Sequence, residues 1–239
     1  MALGLSVFVC ISVPAAFGAD FWEKKDYTKW SEKECRKLLT DSPWAKQYVL
    51  TRTVGPVGLT RGANSLGQST RSVTYQIQLF SALPIRQAIV RQLQITQNYE
   101  RLTEEQKAQF DSQTEALLTA DNSEVVVLNI SYMTDYQPYD LDLARYWQIQ
   151  TTDSLKSSTY LKGSDGEKVP ISNYVVIRDA QRVFRFIFPR KHRDREILGS
   201  EDKSLVLEFE YPHIDVIPGK LGFVEFKTKK MLFGDKIEY

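Results

Sequence analysis

The chain contains very few of the residues that build metal sites, disulfides and the common catalytic motifs. Among 239 residues there are two cysteines and two histidines, which are Cys10, Cys35, His192 and His213. The histidines are far apart, and no H-x-x-x-H or C-x-x-C spacing occurs, so we expect no metal site. No G-x-S-x-G elbow, calcium loop or phosphate-binding loop is present, so we also expect no cofactor. These absences exclude only enzymes whose motifs are visible in sequence, because a site can also be assembled in three dimensions.

The chain also lacks an excess of charge of either sign. Lysine and arginine total 31 against 30 for aspartate and glutamate, which gives a formal net charge of +1. A protein that binds nucleic acid usually carries a strongly basic face, so we expect no nucleic-acid partner. The densest basic stretch, residues 190–196, includes Asp194 and Glu196. We interpret it as a solvated loop rather than a polyanion site.

An uncharged, mostly apolar run covers residues 3–13 and is followed by small residues. Ala16 and Gly18 stand where a cleavage site of the A-x-A type needs small side chains. We therefore predict a signal peptide over residues 1–18 and a mature chain that begins near Ala19. The run is well short of the roughly 20 apolar residues that a spanning helix needs, so we expect no transmembrane span after cleavage. The predicted location is the periplasm or the extracellular medium.

Cleavage would leave Cys35 as the sole cysteine of the mature chain. An internal disulfide is therefore excluded, even in an oxidising compartment. Cys35 lies beside Leu38 and Leu39 in a predicted helix, so we expect a buried thiol. A disulfide to another chain is the alternative.

Residues 19–44 are predicted to form a helical arm ahead of the main body. Ser31 followed by Glu34 is a capping box that starts a helix, and Pro43 prevents its continuation. The same short segment contains three tryptophans, Trp22, Trp30 and Trp44. We expect these side chains to pack the arm on the main body, and stacking on a ligand is the alternative.

One stretch of this arm resembles a group of uncharacterised secreted bacterial proteins. The similarity is carried by Trp30-Ser31-Glu32-Lys33-Glu34 and continues through Leu38-Leu39-Thr40-Asp41-Ser42-Pro43-Trp44. The resemblance implies export and a shared architecture. The group has no established activity, so no functional residue is carried over from it.

Residues 45–239 are predicted to form an antiparallel β-sandwich, Ig-like or related, in a mainly β protein. The predicted strands cover residues 47–53, 73–80, 124–132, 159–161, 174–177, 183–188, 205–211 and 222–229. A glycine-rich loop is expected over residues 55–67 and a hairpin turn over residues 163–166. Val206, Glu208 and Glu210 alternate with apolar residues, so we expect them to face water. The alternative is an α+β domain in which helices cover one face of a single sheet.

A two-helix insertion is predicted over about residues 84–120. Pro84 can occupy the first turn of the first helix, and Thr103 with Gln106 makes a capping box for the second. The residues expected to face inward are Ile85, Ile89, Leu93, Phe110, Leu117 and Leu118. The opposite face of the first helix includes Arg86 and Gln94 and is expected to be plain solvent surface. Binding of a partner by this glutamine-rich face is the alternative.

The segment after the predicted central strand is rich in aromatic residues and is predicted to contain one short helix. Its candidate binding residues are Tyr136, Tyr139, Tyr146 and Trp147. Tyrosine and tryptophan combine apolar faces with polar tips, which suits contacts with a carbohydrate or a protein. Packing within the core or along a sheet edge is the alternative, and it is the one that we favour.

The leading functional hypothesis is an exported, non-enzymatic interaction or structural protein of the bacterial cell envelope. Its partner would be another envelope protein or a glycan. One alternative is an envelope hydrolase whose residues converge only in three dimensions, for example around His213 and nearby acids. A second alternative is an outer-membrane-associated assembly component.

Overall fold

The computed structural model describes residues 20–54, 69–177, 182–199, 201–215, 217–234 and 236–239. The predicted signal peptide and the predicted loop at residues 55–67 lie outside these ranges. The strands are β1 (Ala45–Val54), β2 (Ser69–Leu79), β3 (Val125–Thr134), β4 (Tyr160–Lys162), β5 (Lys168–Pro170), β6 (Asn173–Val176), β7 (Val183–Pro189), β8 (Lys191–His192), β9 (Arg195–Glu196), β10 (Ser204–Tyr211), β11 (Lys220–Lys227), β12 (Leu232–Phe233) and β13 (Lys236–Ile237). All of their pairings are antiparallel.

Two larger sheets organise the body of the molecule. The first has five strands in the order β1-β2-β3-β7-β6, and the second has four in the order β11-β10-β4-β5. Strand β3 lies at the centre of the first sheet, as its run of β-branched residues predicted. The aromatic ring of Phe209 in the second sheet contacts rings of the first, with centroid distances of 5.9 Å to Tyr48, 5.7 Å to Tyr75 and 6.3 Å to Phe186. The apolar faces of the two sheets therefore meet in the core.

The N-terminal arm contains helices α1 (Phe21–Lys24) and α2 (Glu32–Thr40), with a 3-10 turn at Tyr27–Lys29 between them. The predicted capping box is present, because Ser31 and Glu34 exchange side-chain and backbone hydrogen bonds. The three tryptophans are buried, with exposures of 5% for Trp22, 1% for Trp30 and 0% for Trp44. Cys35 is buried as well, which confirms the buried thiol. Whether residues 45–239 form a separate domain stays a prediction.

The predicted helical hairpin consists of α3 (Leu83–Thr96) and α4 (Glu104–Thr119), which lie between β2 and β3. The prediction of which face of α3 is buried was partly wrong. Leu93 is 37% exposed, whereas Arg86 and Gln94 are each 5% exposed. The Arg86 guanidinium donates to the carbonyl oxygens of Leu117 and Ala120, at 2.9 and 3.1 Å. These carbonyls end α4 without helical partners, so a buried arginine there stabilises the end of the helix.

The hairpin packs on the arm rather than across a sheet. Helix α3 contacts α2 and α4 most extensively, and the 3-10 turn at Tyr27–Lys29 also touches it. This arrangement, with two sheets present, differs from the alternative of a single sheet covered by helices. Among the described residues, no helix has both the length and the apolar character needed to cross a membrane.

The predicted water-facing row on β10 was wrong at one position. Glu208 is 2% exposed, although Glu210 on the same side is exposed. Its carboxylate pairs with the ammonium groups of Lys162 at 2.6 Å and Lys168 at 2.5 Å. Lys162 comes from the adjacent strand β4 and Lys168 from β5, the next strand of the sheet, and their long side chains cover the acid.

Two further segments contain more regular structure than was predicted. The helix predicted in the aromatic segment is α5 (Gln137–Ile149), and a further short helix that was not predicted, α6 (Thr152–Leu155), follows it. The basic stretch at residues 190–196 is not only a loop, because β8 and β9 pair across a turn at Arg193 and Asp194. Both turn residues have positive φ, at 50° and 63°, as a tight hairpin turn requires.

Candidate functional site

The four aromatic residues predicted as a binding patch lie in or next to α5, and two of them are buried. Trp147 is 2% exposed, stacks on Phe184 at 4.2 Å and donates from its Nε1 to the Tyr75 hydroxyl at 3.3 Å. Tyr139 is 1% exposed and donates to the Asp215 carboxylate at 3.0 Å. Burial and this carboxylate raise the pKa of Tyr139 to about 12. Trp147 therefore packs α5 on the first sheet, whereas Tyr139 ties α5 to the turn after β10.

The other two aromatic residues of the patch are partly buried. The Tyr136 ring lies under the Arg71 guanidinium at 3.9 Å and meets the Tyr139 ring edge-on at 5.0 Å. Tyr146 meets Trp147 edge-on at 4.9 Å. These contacts support packing as the main role of the group. A ligand role for Tyr136 and Tyr146 stays a prediction.

The two histidines lie apart. His213 is exposed on the turn after β10, and His192 lies in β8 with its Nε2 at 3.6 Å from the Glu167 carboxylate. In the part of the chain that the structure describes, no three His, Cys, Asp or Glu side chains are grouped so that they could hold a metal ion.

The strongest candidate site is a cavity of about 570 Å³ between the helical hairpin and the arm. We call it the helical cavity, and its lining residues are Tyr27, Thr28, Val90, Gln94, Tyr99, Glu100, Asp111, Ser112, Thr114, Glu115, Leu118 and Thr119. Pockets that bind small molecules usually measure about 300–1,000 Å³. The helical cavity therefore has the size of a small-ligand site.

Three parts of the chain build the walls of this cavity. Helix α4 supplies Asp111, Thr114, Glu115 and Leu118, whose spacing of three and four residues places them on one face. Helix α3 supplies two residues one turn apart, the arm supplies the 3-10 turn at Tyr27–Lys29, and the connection between the helices supplies Tyr99. The cavity exists because the arm docks beside the hairpin.

Gln94 brings an amide group to the cavity wall. Its Oε1 accepts a hydrogen bond from the Arg91 guanidinium at 3.1 Å. Because a guanidinium can only donate, this contact identifies the oxygen of the amide and leaves the NH2 group as the end that can donate to water or to a ligand.

Both tyrosines of the cavity stay protonated at neutral pH. The Tyr99 hydroxyl donates to both oxygens of Asp111, at 3.0 and 2.8 Å, and this bond raises the pKa of Tyr99 to about 12. Burial raises the pKa of Tyr27, and Asp26 and Asp111 raise it further. The cavity therefore presents two neutral phenols beside its carboxylates.

A second cleft, of about 360 Å³, lies between the arm and β11 and contains charges of both signs. Its charged residues are Asp20, Lys37, Asp41, Lys46, Glu225, Lys227 and Lys230. Burial lowers the pKa of Lys46, and the nearby Lys230 and Lys227 lower it further, while Asp41 opposes the shift. Four cations against three anions leave little net preference for one class of ligand.

Sequence reasoning missed the helical cavity. It assigned Gln94 to solvent surface and did not connect Tyr27 of the arm with the hairpin. The available signal was the row of hydroxyl and carboxylate side chains at helical spacing on α4, where a hairpin that packs closely would carry apolar residues.

No protein-family model and no curated protein matches the chain. Among solved structures, the chain is similar to the crystal structure of a protein of unknown function from Burkholderia pseudomallei. The sequence identity is 13% and the TM-score is 0.38, with 63% of this chain and 73% of that chain covered. This likeness transfers neither a residue nor an activity.

Proposed function

We propose that the protein is an exported, non-enzymatic binding protein of the bacterial cell envelope that holds a small ligand in the helical cavity. The observation that carries this proposal is the helical cavity itself, which measures about 570 Å³ and takes its walls from three parts of the chain.

The chemistry of the lining supports binding of a small molecule. Val90 and Leu118 are apolar, whereas the remaining lining residues offer amide, hydroxyl or carboxylate groups. Small-ligand sites are usually lined mostly by apolar side chains, so a lining this polar favours a polar ligand. Neither His192 nor His213 lines the cavity, so a histidine-based hydrolase gains no support from its walls.

The proposed location rests on the sequence of residues 1–18, with its apolar run and small residues before Ala19. Expression of the full chain in a Gram-negative host should yield a periplasmic protein, and N-terminal sequencing should read Ala19 first. A cytoplasmic protein that begins at Met1 would contradict the proposed export, but it would leave the proposal of ligand binding in the helical cavity untouched.

We also propose that the two larger sheets form a β-sandwich, which acts as the scaffold for the helical layer. The ring contacts of Phe209 with Tyr48, Tyr75 and Phe186 support this arrangement. Side chains from the inner faces of two packed sheets interdigitate in this way in known sandwiches.

The binding proposal can be tested by blocking the cavity. Ser112 lines the cavity from an exposed position of α4, so Ser112→Trp should fill it without disturbing the core. The neighbouring Gln113 is exposed on the same helix but does not line the cavity, so Gln113→Trp is the matched control.

Each purified protein would be incubated with the small-molecule fraction of a bacterial envelope extract and analysed by native mass spectrometry. We expect a bound molecule on the wild-type protein and on Gln113→Trp, and its loss from Ser112→Trp. Thermal unfolding should show that both variants are folded. Equal occupancy of the two variants, or no bound molecule on any protein, would overturn the proposal.

A further inference from the structure

Two buried polar atoms where α5 packs on the first sheet have no hydrogen-bond partner among the described residues. They are the hydroxyl oxygen of Tyr132, in β3, and the carboxylate oxygen Oδ1 of Asp140, in the first turn of α5. Tyr132 is 4% exposed. Leaving a buried polar group unpaired is costly, and such groups are normally satisfied by the protein or by an ordered water. These two atoms therefore need a partner.

The polar groups around Tyr132 are bonded to one another. The Tyr174 hydroxyl donates to the Trp147 carbonyl oxygen at 2.5 Å. The Trp147 Nε1 donates to the hydroxyl of Tyr75, which lies directly opposite Tyr132 in the sheet. None of these groups forms a hydrogen bond with the Tyr132 hydroxyl or with Asp140 Oδ1. The partner must therefore come from outside this set of side chains.

Arg182 connects the two atoms. Its carbonyl oxygen accepts from the Tyr132 amide N–H at 3.2 Å, and its guanidinium donates to the second carboxylate oxygen of Asp140, Oδ2, at 2.7 Å. Burial raises the pKa of Tyr132, and the charge of Asp140 raises it further, whereas the charge of Arg182 lowers it. Tyr132 and Asp140 are thus near enough to interact electrostatically, although no hydrogen bond joins them.

The charges at this place favour an uncharged partner. The Asp140 carboxylate is already paired with the Arg182 guanidinium, so one negative charge balances one positive charge. A metal ion would add an unbalanced charge beside the guanidinium, and an anion would lie against the carboxylate. The protonated Tyr132 hydroxyl can donate, whereas an ionised carboxylate oxygen can only accept. The partner must therefore both accept and donate, which a water molecule does.

We infer that one buried water molecule binds between Tyr132 and Asp140, next to the Arg182 ion pair. It accepts from the Tyr132 hydroxyl and donates to Asp140 Oδ1, and the N–H groups of Arg182 that do not bond Asp140 offer a third contact. Buried waters typically make about three hydrogen bonds to polar groups that would otherwise be unpaired. The water joins α5 to β3. Neither Tyr132 nor Asp140 lines the helical cavity, so the inference does not depend on the proposed function.

A high-resolution crystal structure of the protein tests the inference directly. We expect one water at about 2.5–3.2 Å from both the Tyr132 hydroxyl oxygen and Asp140 Oδ1. A direct hydrogen bond between these two atoms would overturn the inference. A metal ion at this place, recognised by contacts to oxygen shorter than a hydrogen bond, would overturn it as well. The same conclusion would follow from a map without a peak between the two residues.

Magnetic relaxation dispersion, which counts the long-lived buried waters of a protein in solution, gives an independent test. Tyr132→Phe removes only the hydroxyl, so it should lower the count by one, because a buried water needs at least two firm partners. Tyr160→Phe is the matched control, since Tyr160 in β4 is half-buried and its hydroxyl is not one of the unpartnered buried atoms. The control should leave the count unchanged, and thermal unfolding should show that both variants are folded. An equal count for the wild type and Tyr132→Phe would overturn the inference.

Discussion

Replacement of Glu208 by glutamine should destabilise the protein markedly. Its carboxylate is buried and pairs with Lys162 and Lys168, at 2.6 and 2.5 Å. Glutamine has nearly the same shape but cannot balance two ammonium groups. Removing one partner of a buried ion pair typically costs about 3–5 kcal/mol.

We expect Glu208→Gln to cost less stability than the typical loss for a buried ion pair, because the two lysines are partly exposed. The side chain of Lys162 is 19% exposed, but that of Lys168 is 50% exposed and can turn to water. The lysines also lie near aromatic rings, with Lys162 at 5.3 Å from Phe223 and Lys168 at 4.8 Å from Tyr160. We therefore expect a loss of about 2–3 kcal/mol in the free energy of unfolding at pH 7. For a protein of this size that corresponds to a fall in Tm of roughly 4–12 °C.

The effect should depend on pH in a defined direction. Burial alone would raise the pKa of Glu208, but hydrogen bonds from Lys162 and Lys168 outweigh it and hold the pKa below the ordinary value of 4.5. Because the folded pKa is lowered, the carboxylate stabilises the fold above pH 4.5 and this contribution is lost as the pH falls through the folded pKa. The wild-type protein and Glu208→Gln should therefore differ most at pH 7 and converge in acid.

Urea denaturation at several pH values would measure both the size and the pH dependence of the effect. Glu210 lies two residues away on the same side of β10 and is exposed, so Glu210→Gln is the matched control. We expect the control to change stability by no more than about 0.5 kcal/mol. The reasoning fails if the two variants are equally stable at pH 7, or if the gap between the wild type and Glu208→Gln does not close at low pH.

Two further predictions concern buried groups of the helical layer. Burial raises the pKa of Cys35 to about 11, so roughly one thiol in a thousand should be ionised at pH 8. A thiol reagent should therefore react with Cys35 only after the protein is denatured. Rapid reaction of the native mature protein would contradict this prediction. Arg86→Met should destabilise the protein by about 2–4 kcal/mol and speed amide exchange at the end of α4, because it removes the donors for the Leu117 and Ala120 carbonyls. Arg101→Met, at an exposed position with no ion pair among the described residues, is the control and should change neither measurement.

The strands could be predicted because their signal is local. In β2 the residues Val73, Tyr75, Ile77 and Leu79 alternate with polar residues, and all four are buried. A period of two places such residues on one face of a sheet whatever the rest of the chain does. The capping boxes at Ser31 and Thr103 were predictable for the same reason, since each depends on residues only three positions apart.

The errors arose where distant residues decide the environment of a side chain. Glu208 was expected to face water because alternation distinguishes the two faces of a strand, but it does not show what covers each face. Its burial depends on Lys162 and Lys168 from other strands. Arg86 was placed on the solvent face because it lies opposite the apolar row of α3, but the unpaired carbonyls of α4 provide its hydrogen-bond partners. In both cases burial of a charge requires partners that the local sequence does not contain.

The side chain of Arg91 links the arm to the helical cavity. Arg91 donates to the Trp30 carbonyl oxygen at 3.0 Å and to Gln94 at 3.1 Å, and it lies 3.6 Å from Glu100. Burial of Trp30 therefore fixes the position of a guanidinium that orients one cavity residue and pairs with another. The arm also contributes Tyr27 directly to the wall. The tryptophans that pack the arm thus act on the proposed binding site as well, because they hold its aromatic wall against the hairpin.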